Sequence, residues 1–167
     1  MPECRMAPAH TLRPCEPRDL DAVVALITEL AEFEQLAHLI EVTAEKLAPH
    51  LFGQRPAAEC VVAEVGGEVV GFALFFTNFS TFLARPGLYL EDLYVRPAQR
   101  GSGIGKALLE HLGRLAVERG CGRFEWSVLD WNSNAISFCE KFGATVMPDW
   151  RICRITGSRL TGFAGTR

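Results

Sequence analysis

Three stretches of this chain hold residues whose type and spacing could do chemistry. The first is "YVRPAQRGSGIGKALLEHL", residues 94–112. An apolar run ends at Val95, glycines follow at positions 101, 103 and 105, and a helical pattern begins. Glycine lets the backbone take a positive φ and approach a ligand closely. The N–H groups that open a helix lack intrahelical partners and can bind phosphate oxygens, with the helix dipole favouring the anion. The dinucleotide pattern G-x-G-x-x-G fails, because its third glycine falls on Lys106 or Leu108. The nucleotide P-loop fails as well: Gly105-Lys106 is followed by Ala107, and the earlier glycine position is Arg100. A glycine-rich connection without a ligand is the plain alternative.

The second stretch is "LYLEDLYV", where Glu91 and Asp92 interrupt an apolar strand. Two charges there need a reason. An alkyl ammonium of pKa near 10.4 is neutral in only about one part in a few thousand at pH 7, and a carboxylate acting through water can take its proton. Consecutive strand residues point to opposite faces, so only one of the two can face a given pocket unless a bulge intervenes. A solvated or salt-bridged pair is the alternative. The third stretch is "WNSNAISFCEKFG", in which Cys139 follows Asn132 by two helical turns. Cys139 reads as a nucleophile, a core filler or a stand-in for another residue type.

The elements that would position these residues follow from hydrophobic period and punctuation. "TLRPC" (11–15) reads as a strand, and residues 16–36 as a helix with Pro17 in its first turn. A second short helix opens at Thr43. "ECVVAEV" and "EVVGFALFFT" form a hairpin about Gly66-Gly67. "GLYLEDLYV" is a strand, 103–120 an amphipathic helix closed by Gly120, "RFEWSVL" a strand, 133–143 a helix closed by Gly143, and "DWRICRIT" a last strand. The order implies one α/β domain with a mixed sheet, over residues 11–160, between a loose leader (1–10) and a tail (161–167).

With 167 residues, 49% of them hydrophobic, the chain can bury a core. A net charge of −3 with scattered basic residues argues against nucleic acid as a partner. No basic cluster suggests a membrane surface, and no run suits a membrane span. The cysteines, at 4, 15, 60, 121, 139 and 153, include no C-x-x-C pair, so no metal site is expected; Cys60 and Cys153 read as small core residues. The N-terminus carries no apolar signal segment, and a reducing cytoplasmic setting is expected.

The spacing Arg100-x-x-Gly103-x-Gly105 resembles the pyrophosphate-binding turn of the GNAT N-acetyltransferases. With "LITELAEFE", "LYLEDLYV", "RGSGIG" and "VLDWN", the similarity narrows to the spermidine/spermine branch and its thialysine-acetylating relatives, over Leu12 to about Ile155. The resemblance implies a GNAT-type domain with a mostly antiparallel sheet flanked by helices. It implies acetyl-CoA as donor, held by Leu93, Tyr94 and Val95, by the turn Arg100, Gly101, Ser102, Gly103, Ile104, Gly105 and Lys106, and by Asn132. It implies direct transfer to the primary amine of a small diamine, polyamine-like or lysine-like substrate in a ternary complex. The amine would meet Glu34, Glu91, Asp92, Asp149 and Trp150, with Glu91 as base. Cys139 would stand where the family has a tyrosine that protonates the departing thiolate. The resembled branch also implies a homodimer, with "RICRIT" available for pairing. Phe33 replaces a family tyrosine, and Thr81 and Leu83 stand where the polyamine enzymes carry an aspartate and a tryptophan, which favours a small amine over a long polyamine. A catalytically weak acetyl-CoA-binding regulatory module and a protein or peptide acetyltransferase are the rival readings.

Overall fold

The computed structural model describes residues 9–165. They fall into two compact units, one reaching to Ser127 and the other running from Val128. In chain order the first unit contains β1 (His10–Pro14), α1 (Leu20–Phe33), α2 (Ala44–Phe52), β2 (Glu59–Val65), β3 (Glu68–Ser80), β4 (Arg85–Val95), α3 (Ile104–Glu118) and β5 (Arg123–Trp126). The sheet order is β1-β2-β3-β4-β5. Its first three pairings are antiparallel and β4–β5 is parallel. This is the mixed α/β sheet that the pattern predicts, mostly antiparallel as the resemblance implies. The first eight residues of the expected leader lie outside the described residues.

Local chemistry sets the element ends. Pro17 opens a 3-10 turn that leads into α1, and Thr43 caps α2 by accepting from the Lys46 N–H at 3.2 Å. Gly66 and Gly67, at φ +59° and +83°, make the β2–β3 turn that both positive angles favour. On one face of the sheet, Val23, Leu26 and Leu30 of α1 pack with Val62, Phe72 and Tyr94. From α3, Ile104, Leu108 and Leu112 are buried at helical spacing. Each such side chain contributes about 1.5–3 kcal/mol, so truncating fully buried Phe72 to alanine would cost about 3–5 kcal/mol.

The expected strand at 123–129 is shorter than its sequence suggests. It pairs with β4 only from Gly87↔Arg123 to Leu90↔Trp126. The next β4 residue, Glu91, is a bulge, and a bulge bends its strand away from the regular ladder.

The second unit contains α4 (Ser133–Phe142) and α5 (Gly157–Thr161), followed by a 3-10 turn at Gly162–Gly165. The expected last strand, 149–156, does not form. Branched residues favour a strand only where a neighbouring strand completes the ladder, and this segment has none among the described residues. Ile152 and Ile155 are consequently exposed, and so is Cys153, which corrects its reading as a core residue; Cys60 is buried as expected. No described helix is long and apolar enough to cross a membrane.

Candidate active site

β4 carries the chemistry. Opposite it on β3, Leu74 pairs with Asp92 and Phe75 pairs with Leu90, leaving Glu91 as an extra residue. Paired residues share a face, so Asp92 lies with Leu74, Phe72 and Tyr94 on the side packed by α1. Glu91 points away from the face of Leu90, its predecessor, and therefore to the same side as Asp92.

A third carboxylate reaches them from α1. Glu34 follows the last residue of that helix. The helix closes with Gln35 N–H donating to the Glu32 carbonyl at 3.1 Å and Leu36 N–H to the Ala31 carbonyl at 2.7 Å. Gln35 takes φ +62°, a conformation that costs a residue with a Cβ about 1–2 kcal/mol. Burial pushes the Glu34 carboxyl up from its ordinary range. Asp92 is half-buried, and its carboxyl is pushed up to about 6, first by desolvation and then by the negative charges of Glu91 and Glu34. Glu91 is the most exposed of the β4 pair. A cluster of this kind attracts a cation and, through Asp92, offers a proton acceptor matched to near-neutral pH.

The glycine turn opens at Arg100, eight residues past Asp92 on the same chain segment. Gly101 and Gly103 take φ +80° and +85°, and α3 starts after Gly103 with no side chain capping its first N–H groups. A Cβ placed on either glycine meets nothing within 4 Å. Uncapped donors beside open space suit a pyrophosphate. Ser102 donates to the Gln99 carbonyl, bracing the turn, and Lys106 pairs with Glu110 at 3.5 Å along the helix surface. Ile104 is buried beneath the helix start, and Gly105 lies against Leu93 and Val95. Leu93 is half-buried, and Tyr94 and Val95 are buried where β4 continues past its pairing with β5.

The first unit thus brings together Glu34, Glu91, Asp92, Leu93–Val95 and the turn from Arg100 to Lys106. The remaining expected site residues belong to the second unit. Asn132 caps α4, its side-chain oxygen accepting from the Ala135 N–H at 3.1 Å. Cys139 is buried on α4, and its carbonyl accepts from the Ala144 N–H at 3.0 Å where the helix ends. Asp149 and Trp150 are exposed on a turn.

Two features escape the sequence pattern. One is the bulge at Glu91. The other is the Arg100 side chain, which lies over the rings of Phe33 and Tyr94 at 5.3 Å and 5.4 Å. No local signal marks either, since both depend on residues distant in the chain.

The profile of the Acetyltransferase (GNAT) family matches residues 24–144. The chain is 34% identical to the L-ornithine N5-acetyltransferase NATA1 of Arabidopsis thaliana, over 89% of this chain and 85% of that protein. It is 35% identical to the thialysine N-epsilon-acetyltransferase of Mus musculus, over 92% of this chain and 96% of that one. Its fold superposes on an integron cassette protein of V. cholerae with a TM-score of 0.78, at 24% identity over 94% of this chain and 98% of that one. Carboxylates on β4 and an uncapped glycine turn after it, in a fold and sequence shared this widely, leave one assignment: the chain belongs to the GNAT acetyltransferase family and is an N-acetyltransferase.

Proposed function

We propose that the protein moves the acetyl group of acetyl-CoA to the primary amine of a small ornithine-like or lysine-like substrate, directly and in a ternary complex. The observation that carries this reading is the convergence of Glu34, Glu91 and Asp92 on one side of β4, the strand that runs on into the uncapped start of α3. The relatives named for L-ornithine and thialysine support the same substrate class.

In this reading the first N–H groups of α3 hold the donor's pyrophosphate, and the end of β4 aligns the donor's arm through Leu93–Val95. The carboxylate cluster draws in the ammonium group. One carboxylate takes its proton, freeing the nitrogen lone pair to attack the thioester carbonyl; the C–S bond then breaks and the thiolate is protonated. The family resemblance implies Glu91 as the base, and the raised carboxyl makes Asp92 the competing choice. Cys139 would give the last proton, because a thiol can protonate a thiolate of similar pKa. Asn132, Asp149 and Trp150 are the further residues that the resemblance proposes for the donor and the amine.

The protein would act as a homodimer. Ile152 and Ile155 expose apolar surface on "RICRIT", the segment expected to pair, which supports that reading. A reducing, cytoplasmic setting belongs to the same reading.

A coenzyme A release assay over L-ornithine, thialysine, spermine and a lysine-containing peptide tests the proposal. L-ornithine and thialysine should lead in kcat/KM, because Thr81 and Leu83 supply neither charge nor aromatic ring to a long polyamine. A clear lead for spermine or the peptide would reject this substrate class.

A further inference from the structure

Arg100 opens the glycine turn, yet its side chain reaches back over the end of the sheet. Its guanidinium carbon lies 5.3 Å from the centre of the Phe33 ring and 5.4 Å from that of Tyr94. Its Nε donates to the Val95 carbonyl at 3.1 Å. Tyr94 is buried between the influences of Glu29 and Arg100, which push its phenol in opposite directions, and Glu29 accepts from Arg96 at 3.1 Å. Phe33 is the last residue of α1, and Glu34 comes next. The turn expected to hold the donor and the carboxylate expected to meet the amine are therefore one guanidinium and one ring apart.

We infer that Arg100 is a positioning residue: by stacking on Phe33 it ties the end of α1 that bears Glu34 to the donor turn, so that filling the turn orders the acceptor carboxylate. A donor on the α3 N–H groups fixes the backbone at Arg100. The planar guanidinium passes that restraint to the Phe33 ring, adding a side-chain tie to the backbone bonds that hold Glu34, Gln35 and Leu36 at the end of α1. Coupling of this kind is reciprocal, so the amine should also tighten the donor. The inference rests on the donor and acceptor assignments proposed above.

Amide hydrogen exchange tests it without requiring turnover. Coenzyme A should slow exchange at residues 32–36 of the wild-type protein by about 5-fold, the lower range of such couplings. Phe33→Leu should bind coenzyme A within about 3-fold of wild type yet lose that slowing, and Phe33→Tyr should keep it, since either ring accepts a cation. At saturating acetyl-CoA, Phe33→Leu should raise the KM for L-ornithine about 5-fold with kcat nearly unchanged, and Phe33→Tyr should leave both near the wild-type values. Adding Arg100→Lys to Phe33→Leu should raise that KM no further than the worse single variant, because the two break one link. Unaltered exchange on adding coenzyme A, equal slowing in Phe33→Leu, or additive KM effects would overturn the inference. A wild-type protein that shows the slowing but acetylates none of the amines would leave the coupling standing and remove the substrate reading instead.

Discussion

Glu91 and Asp92 are consecutive in β4, yet both point to the α1 side of the sheet, because the register slips by one between Leu90 and Asp92. Without that bulge one carboxylate would turn toward the face of Phe75 and Leu90, both buried. The bulge instead concentrates negative charge beside Glu34, and each charge makes the next harder to ionise.

That arrangement separates the two candidate bases. If Asp92 accepts the proton, kcat/KM should fall about 10-fold per pH unit below its titration near 6, and Asp92→Asn should abolish that acid limb along with most activity. Glu91→Gln removes one charge that raises Asp92, so the limb should move to lower pH while much of the activity remains. If Glu91 is the base, Glu91→Gln should instead lose far more activity at neutral pH than at high pH, where the amine deprotonates unaided. Profiles of kcat/KM from pH 5 to 9 decide between them.

The same carboxylate weakens the fold. A carboxyl raised to about 6 binds its proton more tightly folded than unfolded. Its penalty is absent below the unfolded pKa near 3.9, builds between there and 6, and is constant above. Asp92→Asn should therefore raise unfolding stability by about 1–3 kcal/mol at pH 7.5 and by almost nothing at pH 3.5. Urea titrations at the two pH values check this, and equal effects would refute the burial account.

Gly103 is the position to probe in the turn. A side chain there meets no neighbour, so Gly103→Val acts through its φ of +85° and its approach to the ligand. Stability should fall by about 1–2 kcal/mol, and coenzyme A binding measured by calorimetry should weaken by about 10-fold or more. An unchanged affinity would remove this turn from the donor site.

Cys139 is testable by three variants. As a proton donor with water available to replace it, its loss in Cys139→Ala should lower kcat by about 10- to 100-fold and leave donor affinity unchanged. Cys139→Ser should recover part of that loss. Because Cys139 is buried, Cys139→Tyr should overpack the α4 surface and cost about 1–3 kcal/mol. An alanine variant with wild-type kcat would show that water or another group is the acid, whereas an acetylated enzyme in intact-mass spectra would favour a covalent route.

The legible parts of this molecule are those set by neighbours in the chain. The Gly66-Gly67 hairpin, the apolar period of α1 and the glycine turn before α3 each declare themselves within a few residues. The acceptor cluster was legible only as candidates. Which face Asp92 takes is set by its pairing with Leu74, and the reach of Arg100 by the position of Phe33, so neither leaves a local trace. The segment 149–156 failed for the converse reason: its residues favour a strand, but a strand is a relation between two segments.

The sheet order is the order of the strands in the chain. β2, β3 and β4 therefore form a meander closed by short turns, whereas β5 joins β4 in parallel only after the whole of α3 has crossed over. Pairings close in sequence carry the smaller loop-closure cost and tend to form sooner. The strand bearing Glu91 and Asp92 can thus be seated before the crossover is complete, which makes the carboxylate side of the proposed site an early product of folding and the helix start proposed for the donor a later one. Pulse-labelled exchange during refolding should protect β3 and β4 ahead of β5.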